Sequence, residues 1–158
     1  MPRRVYFSFH PDLEAWRAKV VLDCWVAGLD HEAAGCWDPA AWQQARQTGE
    51  EAVRHMINRA LEQTSVTVVL IGSRAREHEW AVYEIQKSYQ RRNGLLGIYI
   101  HGIADAQGRV EPKGENPFAT LYLEETNHPL PFSRLYPSYD WVKDEGPRHV
   151  ASWIVGAR

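Results

Sequence analysis

The stretch TSVTVVLIGSRAREHEWAVYEIQKS, residues 64–88, decides the fold of this chain. Its segment Val66–Ile71 is an unbroken apolar run rich in β-branched residues, which is typical of a parallel strand covered on both faces. Gly72 and Ser73 end that run. Apolar residues then recur at helical spacing, which predicts a helix from about Glu77 to Arg91. The stretch is therefore a strand that leads through a polar turn into a helix.

The predicted helix carries an acid beside an indole. Trp80 and Glu84 are four residues apart, so they lie one turn from each other on one helix face. The carboxyl edge of a parallel sheet is where open α/β proteins bind ligands. Glu84 is therefore a candidate for ligand binding or catalysis. The alternative is a solvated surface acid paired with Lys87 or Lys19.

Composition limits the class of protein. With 158 residues, 44% of them hydrophobic, the chain is long enough to bury a core, and we expect a single domain over residues 1–158. The net charge is −2 and the basic residues are dispersed, which argues against a nucleic-acid partner. There is no signal-like N-terminus and no long apolar run, so we expect a cytoplasmic protein without membrane contact. Cys24 and Cys36 are expected to be reduced thiols.

The rest of the chain predicts alternating strands and helices. Residues 101–117 and 121–137 have no periodic pattern, so we interpret them as a long loop and an irregular tail. The alternation predicts a doubly wound, mostly parallel sheet of four to five strands. The other predicted strands are Arg4–Phe9, Ala33–Trp37, Leu95–Ile100 and Tyr139–Val142. A helix capped by Asp12 is predicted through about Gly28, with apolar positions at Trp16, Val20 and Cys24 and at the neighbouring Leu13, Val21 and Trp25. The remaining predicted helical segments are a turn at 41–45, a helix from Glu50 through Leu61, and His149–Val155.

Several chemistries lack their motifs. The seven histidines are scattered without metal-ligand spacing, so we expect no metal. No glycine-rich phosphate loop follows the first strand, and no G-x-S-x-G elbow is present. What the pattern favours is a cleft at the carboxyl ends of the strands, suited to a nucleotide-like ligand. Its candidate residues are Phe9, His10, Asp38, Ser73, Trp80 and Glu84; each has a purely structural alternative as a cap, a turn former or a core aromatic.

Eight segments, taken together and in order, resemble the TIR domain superfamily and, within it, the ThsB type of TIR-like protein from Thoeris anti-phage defence. The segments that carry this resemblance are RVYFSFH (4–10), AAGCWD (33–38), INRAL (57–61), TSVTVVLIGS (64–73), WAVYEIQKS (80–88), GLLGIYI (94–100), KGENPF (113–118) and YDWVKDEG (139–146).

The resemblance implies a flavodoxin-like TIR fold and an enzyme that cleaves the nicotinamide–ribose bond of NAD. Trp80 and Glu84 match the W-x-x-x-E motif of catalytic members, with Glu84 as the catalytic acid. NAD is then a substrate, and no cofactor is expected. Phe9 and His10 are expected on the nicotinamide side, Asp38 on the loop after the second strand, and Trp80 and Ser73 beside the substrate.

The resemblance also implies partners. A phage-derived trigger is expected to start synthesis of a cyclic or otherwise modified ADP-ribose, which activates a separate effector protein. Homo-oligomers are expected, since a neighbouring copy often completes a TIR active site. Two alternatives stay open: a non-catalytic TIR interaction module, and an enzyme of nucleoside N-glycosyl transfer. The residues His10-Pro11-Asp12 depart from the usual TIR pattern after the first strand.

Overall fold

The computed structural model describes residues 3–124 and 128–157. The strands are β1 (Arg3–Ser8), β2 (His31–Ala34), β3 (Val66–Ile71), β4 (Gly94–Tyr99), β5 (Tyr122–Leu123), β6 (Leu130–Pro131) and β7 (Ser138–Asp140). Five of them form a central parallel sheet in the order β2-β1-β3-β4-β7, and β5 and β6 form a separate antiparallel pair. The helices are α1 (Ala15–Val26), α2 (Pro39–Thr48), α3 (Glu50–Leu61), α4 (Ala81–Gln90), α5 (Phe132–Leu135) and α6 (Gly146–Val155).

Helices cover both faces of the sheet, which confirms the predicted doubly wound α/β class. Helices α1 and α6 pack on one face, against side chains such as Val5 and Phe7. Helices α2 and α3 pack on the other, where Tyr6 joins Trp42, Val53 and other apolar side chains. Because side chains alternate along a strand, even-numbered residues of β1 face α2–α4 and odd-numbered residues face α1.

The sheet order places a switch point between β1 and β3. The chain runs from β1 outward to β2 and then returns to β3 on the opposite side of β1. In open parallel sheets the crevice at such a point, outside the carboxyl ends of the strands, is where ligands bind. The segments that follow β1 and β3 therefore form the edge of interest.

Several predicted boundaries were wrong, although the elements exist. The helix expected from Glu77 begins at Ala81, because a separate 3₁₀ turn occupies Ala75–Glu77. Asp12 does not cap α1, whose N-cap position is Glu14. The turn expected at 41–45 is a full helix, α2, capped by Asp38.

The predicted apolar face of α1 was right only in part. Val21 and Trp25 are buried as expected, but Trp16 and Val20 are 44% and 39% exposed, and Arg17 is buried at 5% exposure. Arg17 tolerates burial because its Nε donates to the carbonyl of Ile103 at 2.9 Å and its guanidinium pairs with Glu111. These partners lie far along the chain, beyond the reach of helical periodicity.

The loop at residues 101–117 is confirmed as a segment without helix or strand until a 3₁₀ turn begins at Pro117. The segment predicted as an irregular tail contains α5 and two short strands, and its residues 125–127 lie outside the described part of the chain.

Candidate active site

Glu84 lies in the first turn of α4, buried against the sheet with 1% of its surface exposed. That burial rules out the solvated surface acid considered above. Helix α4 follows β3, and its first turn lies over the even-numbered face of β1. The side chain therefore enters the protein at the β1/β3 switch point instead of pointing toward solvent.

Three side chains bond the Glu84 carboxylate. The Tyr6 hydroxyl donates to Oε2, and the Ser8 hydroxyl donates to Oε1 at 2.9 Å. The imidazole of His78 contacts Oε1 through Nε2 at 2.5 Å. Hydrogen bonds to an ionised acceptor are stronger than neutral ones, so this arrangement fixes the carboxylate in one orientation.

Local structure explains why these residues meet. Tyr6 and Ser8 are two apart on β1, so they lie on the same face of the sheet. His78 lies between the 3₁₀ turn and α4, and its backbone N–H donates to the carbonyl of Ala75. A strand and a tight turn, both rigid elements, therefore hold the donors around Glu84.

The environment shifts two ionisation equilibria. Burial, with the adjacent Glu84 carboxylate second, raises the pKa of the Tyr6 phenol well above its ordinary value, so Tyr6 remains a donor. Burial, followed by His78, lowers the pKa of His10, while Asp12 and Glu79 act in the opposite sense. His10 is therefore neutral at pH 7, and its ring lies edge-on to His78 with centroids 5.7 Å apart.

Of the residues predicted for the site, Phe9 and His10 lie close to the Glu84 cluster. They line a small cavity of about 10 Å³ together with Ser8 and His78. A cavity of this size accommodates roughly one water molecule. Glu84 does not itself line this cavity, and with 1% of its surface exposed its side chain is enclosed in this conformation.

The other predicted site residues lie apart from the Glu84 carboxylate. Asp38 is exposed and caps α2, accepting from the Ala40 N–H at 3.4 Å. Ser73 donates to Oε2 of Glu111 at 3.0 Å. Trp80 packs edge-on against Tyr83 and lines a groove of about 630 Å³ between α2, α3 and α4.

A second buried carboxyl, that of Glu14, lies at the same edge of the sheet. It is 3% exposed, and it lines the small cavity shared by Ser8, His10 and His78. Oε1 accepts the backbone N–H of Arg74 at 3.3 Å. Within residues 3–124 and 128–157, Oε2 has no hydrogen-bond partner. Burial raises the pKa of Glu14, although the Arg74 N–H opposes that shift.

The loop at residues 101–117 is held by hydrogen bonds and an ion pair at the carboxyl edge of the sheet. Arg17 binds it through the Ile103 carbonyl and Glu111, and Ser73 binds the same Glu111. Gly114 lies so close to the Gly72 carbonyl that a Cβ atom on Gly114 would lie 1.9 Å from that oxygen. The loop therefore covers the end of β3.

Sequence reasoning did not select Tyr6, Ser8, His78 or Glu14. Two hydrogen-bonding residues at alternate positions of a buried strand were a usable signal for Tyr6 and Ser8, because such groups need a partner on the covered face. His78 stands two residues before Trp80 and offered no comparable pattern. Glu14 was obscured by the expectation that α1 begins at Asp12.

In the described part of the chain, no three His, Cys, Asp or Glu side chains cluster as metal ligands would. None of the described helices combines the length and apolar character needed to cross a membrane.

The arrangement defines a class of protein: a parallel α/β domain with a carboxylate held at the switch point by a W-x-x-x-E helix. The sequence model of the family described as "Thoeris protein ThsB, TIR-like domain" matches residues 6–105. A curated Bacillus cereus (strain MSX-D12) protein, "Putative cyclic ADP-D-ribose synthase ThsB1", is 35% identical over 191 aligned residues, covering 98% of this chain and 100% of that protein.

The chain therefore belongs to the ThsB TIR-like family of Thoeris proteins. This confirms the resemblance found in the sequence. The expectation of one TIR-like domain over residues 1–158 stays a prediction.

Proposed function

We propose that this protein is an anti-phage TIR enzyme that cleaves the nicotinamide–ribose bond of NAD and forms a cyclic or otherwise modified ADP-ribose signal. One observation carries the proposal: in a ThsB TIR-like chain, the W-x-x-x-E glutamate, Glu84, is buried at the β1/β3 switch point with its carboxylate oriented by three partners. The name of the Bacillus cereus relative supports the same reaction class.

The reaction needs little proton transfer at the leaving group. The bond between C1′ of the ribose and the nicotinamide nitrogen breaks, and its electron pair neutralises the pyridinium. Positive charge then develops at C1′, and a fixed carboxylate lowers the energy of that state. A nucleophile on the adenosine half attacks C1′ and loses its proton, which closes a ring; attack by water instead gives free ADP-ribose.

The residues around Glu84 have complementary roles in this proposal. Tyr6 and Ser8 hold the carboxylate, so that it is preorganised when charge appears at C1′. Phe9 and His10 flank the leaving group. Trp80, with Arg54 5.8 Å from its ring centroid, offers a flat surface and a cation for the remaining part of the dinucleotide. Asp38 and Ser73 come from segments that border the crevice, and they are proposed to contact the substrate after opening.

Access requires a conformational change. The small cavity beside Glu84 holds about 10 Å³, far less than a nicotinamide riboside needs. A second cavity of about 180 Å³ shares His78, Ala75, Ala81 and Pro117 with the wall of the first. Displacement of His78 and the adjacent 3₁₀ turn joins the two spaces. We propose that the conformation described here is the resting form and that the phage-derived trigger favours the open form.

The proposal includes the expected partners. NAD is the substrate and no cofactor is required. A second copy of the chain completes the site, the product activates a separate effector, and the reaction takes place in the cytoplasm.

Burial of Glu84 also favours a second candidate, a non-catalytic interaction module. A carboxylate with three partners can have a purely structural role, and in that case its function would be to hold α4 on the sheet. The two candidates differ in whether NAD is consumed.

The test measures NAD consumption and product masses in lysates of phage-challenged cells that express the wild type, Glu84→Gln or Glu62→Gln. Gln keeps the shape and one acceptor oxygen at position 84, and Glu62 is an exposed acid that serves as the matched control. The proposal predicts a product of ADP-ribose mass in the wild type and in Glu62→Gln, and none in Glu84→Gln.

Defence that survives Glu84→Gln without any such product would establish the interaction module instead. Release of a free base from nucleosides, with NAD left intact, would point to N-glycosyl transfer. Thermal unfolding of each variant separates loss of the reaction from loss of the fold.

A further inference from the structure

We infer that Glu14 is a specificity-determining residue: its unpaired carboxylate oxygen accepts a hydrogen bond from the carboxamide of the nicotinamide leaving group. The inference rests on the proposed function and extends it to a residue outside the W-x-x-x-E motif. The evidence is the buried Glu14 carboxyl, of which one oxygen is unpaired among the described residues. This carboxyl lines the same cavity as Ser8 and His78, which both bond Glu84.

The unpaired oxygen is the first observation. Glu14 is 3% exposed, and Oε2 has no partner among the residues that the structure describes. A buried polar group without a partner is rare in folded proteins and unfavourable, more so when it is charged. Such a group persists where a ligand supplies the missing hydrogen bond.

Its position is the second observation. Glu14 lines one small cavity with Ser8 and His78, both bonded to Glu84, and with Phe9 and His10. Glu84 does not itself line this cavity, but its partners Ser8 and His78 do, so the cavity adjoins the carboxylate. In the inferred complex the nicotinamide leaving group occupies the space between these residues and Glu14. The backbone fixes the carboxyl there, since Gly72 leaves room for it: a Cβ atom on Gly72 would lie 2.1 Å from the Glu14 carboxyl carbon.

The chemistry of NAD selects the group that meets Glu14. The diphosphate is anionic and would be repelled by a carboxylate. The nicotinamide ring is cationic, and its carboxamide presents an N–H₂ donor. A carboxylate acceptor therefore suits the nicotinamide end in both charge and hydrogen bonding.

Nicotinic acid adenine dinucleotide is the discriminating substrate, because a carboxylate replaces the carboxamide. A carboxylate at Glu14 would face this second carboxylate, and juxtaposed like charges cost several kcal/mol. We expect the wild type to favour NAD by about 100-fold or more in kcat/KM, since about 1.4 kcal/mol corresponds to a factor of ten.

The experiment compares kcat/KM for the two dinucleotides in the trigger-activated wild type, Glu14→Gln and the control Glu62→Gln. Gln can donate to a carboxylate and accept from a carboxamide. The NAD preference is expected to fall by about tenfold or more in Glu14→Gln, mainly through KM, and to remain unchanged in Glu62→Gln.

An unchanged preference in a folded Glu14→Gln that still consumes NAD would overturn the role of Glu14 and leave the proposed function intact. Absence of Glu84-dependent NAD cleavage in the wild type would overturn both. A binding measurement in the Glu84→Gln background supplies an independent readout: adding Glu14→Gln is expected to reduce the ratio of the two dissociation constants by the same factor.

Discussion

Two buried carboxyls occupy one edge of the sheet, and they differ in how well they are paired. Glu84 has hydrogen-bond partners on both oxygens, from β1 and from the turn before α4. Glu14 has a single long bond to a backbone N–H, and its other oxygen is unpaired within the described residues. A satisfied buried acid stabilises its surroundings, whereas a half-satisfied one destabilises them unless a ligand completes it. Glu84 is therefore preorganised by the protein, whereas Glu14 lacks a hydrogen-bond donor that the substrate is proposed to supply.

Removing the Glu84 side chain is expected to give the largest effect. In Glu84→Ala, Tyr6, Ser8 and His78 lose their common partner inside the protein. Each buried polar group left without a hydrogen-bond partner costs about 1–3 kcal/mol, so the free energy of unfolding is expected to fall by about 3 kcal/mol or more. Urea denaturation measures it. Glu14→Ala serves as the comparison, and an equal loss of stability in both variants would show that the two carboxyls do not differ in what their pairing contributes.

Removing one donor to Glu84 is expected to have an intermediate effect. Tyr6→Phe keeps the buried ring but leaves Oε2 of Glu84 without its bond. A hydrogen bond to a charged group is worth about 1.5–3 kcal/mol, so we expect about 2 kcal/mol of destabilisation and a lower rate of NAD cleavage. Tyr83→Phe is the matched control, because the Tyr83 hydroxyl bonds the exposed Asn58. Equal losses in the two variants would argue that Glu84 does not depend on Tyr6.

A substitution at Gly72 acts most directly on Glu14, whose carboxyl atoms are the nearest neighbours of an added Cβ atom. The Cβ of Gly72→Ala would overlap the Glu14 carboxyl, which is the far end of a flexible side chain. We expect about 1–2 kcal/mol of destabilisation, near the lower end of the range for overpacking. The NAD preference over the nicotinic acid analogue is expected to fall as it does in Glu14→Gln. Retention of that preference with a displaced carboxyl would count against the role of Glu14.

Glu14→Gln is expected to change stability least, and in the opposite direction. Burial raises the pKa of Glu14, so folding disfavours the ionised form of this side chain. We expect the Gln variant to be as stable as the wild type or about 0.5–1 kcal/mol more stable at that pH.

The sign of the pH dependence follows from the raised pKa of Glu14. The stability that Glu14 provides is present below its unfolded pKa, near 4.3, and is lost as the pH rises through the folded pKa. The advantage of Glu14→Gln should therefore shrink as the pH is lowered from 7 toward about 4.3. Thermal unfolding across that range checks the trend, and an advantage that grows on acidification would contradict it.

Local signals in the sequence were enough for much of the fold. β3 was predicted with its observed bounds, because a strand buried on both faces is a continuous apolar run between polar turns. α3 was predicted well because Gly49 separates it from α2 and two acids occupy its first turn. The doubly wound, mostly parallel class of the sheet followed from the alternation of strands and helices, whereas its strand order and register are known from the structure alone.

The site depended on contacts between distant residues. Glu84 could be singled out from W-x-x-x-E, but its burial depends on Tyr6 and Ser8, which lie 78 and 76 residues away. The burial of Arg17 likewise depends on its partners in the 101–117 loop. No local period encodes such pairings, so Glu14 and Arg17 required the three-dimensional structure.

The measurement that tests the central claim most directly is mass analysis of NAD products in phage-challenged cells that carry the wild type or Glu84→Gln, with Glu62→Gln as control. Loss of one preorganised charge group is expected to reduce the rate by about 10²–10³-fold. We predict a product of ADP-ribose mass that disappears in Glu84→Gln while the variant remains folded. Persistence of that product at the wild-type level in the folded Glu84→Gln protein would contradict the account.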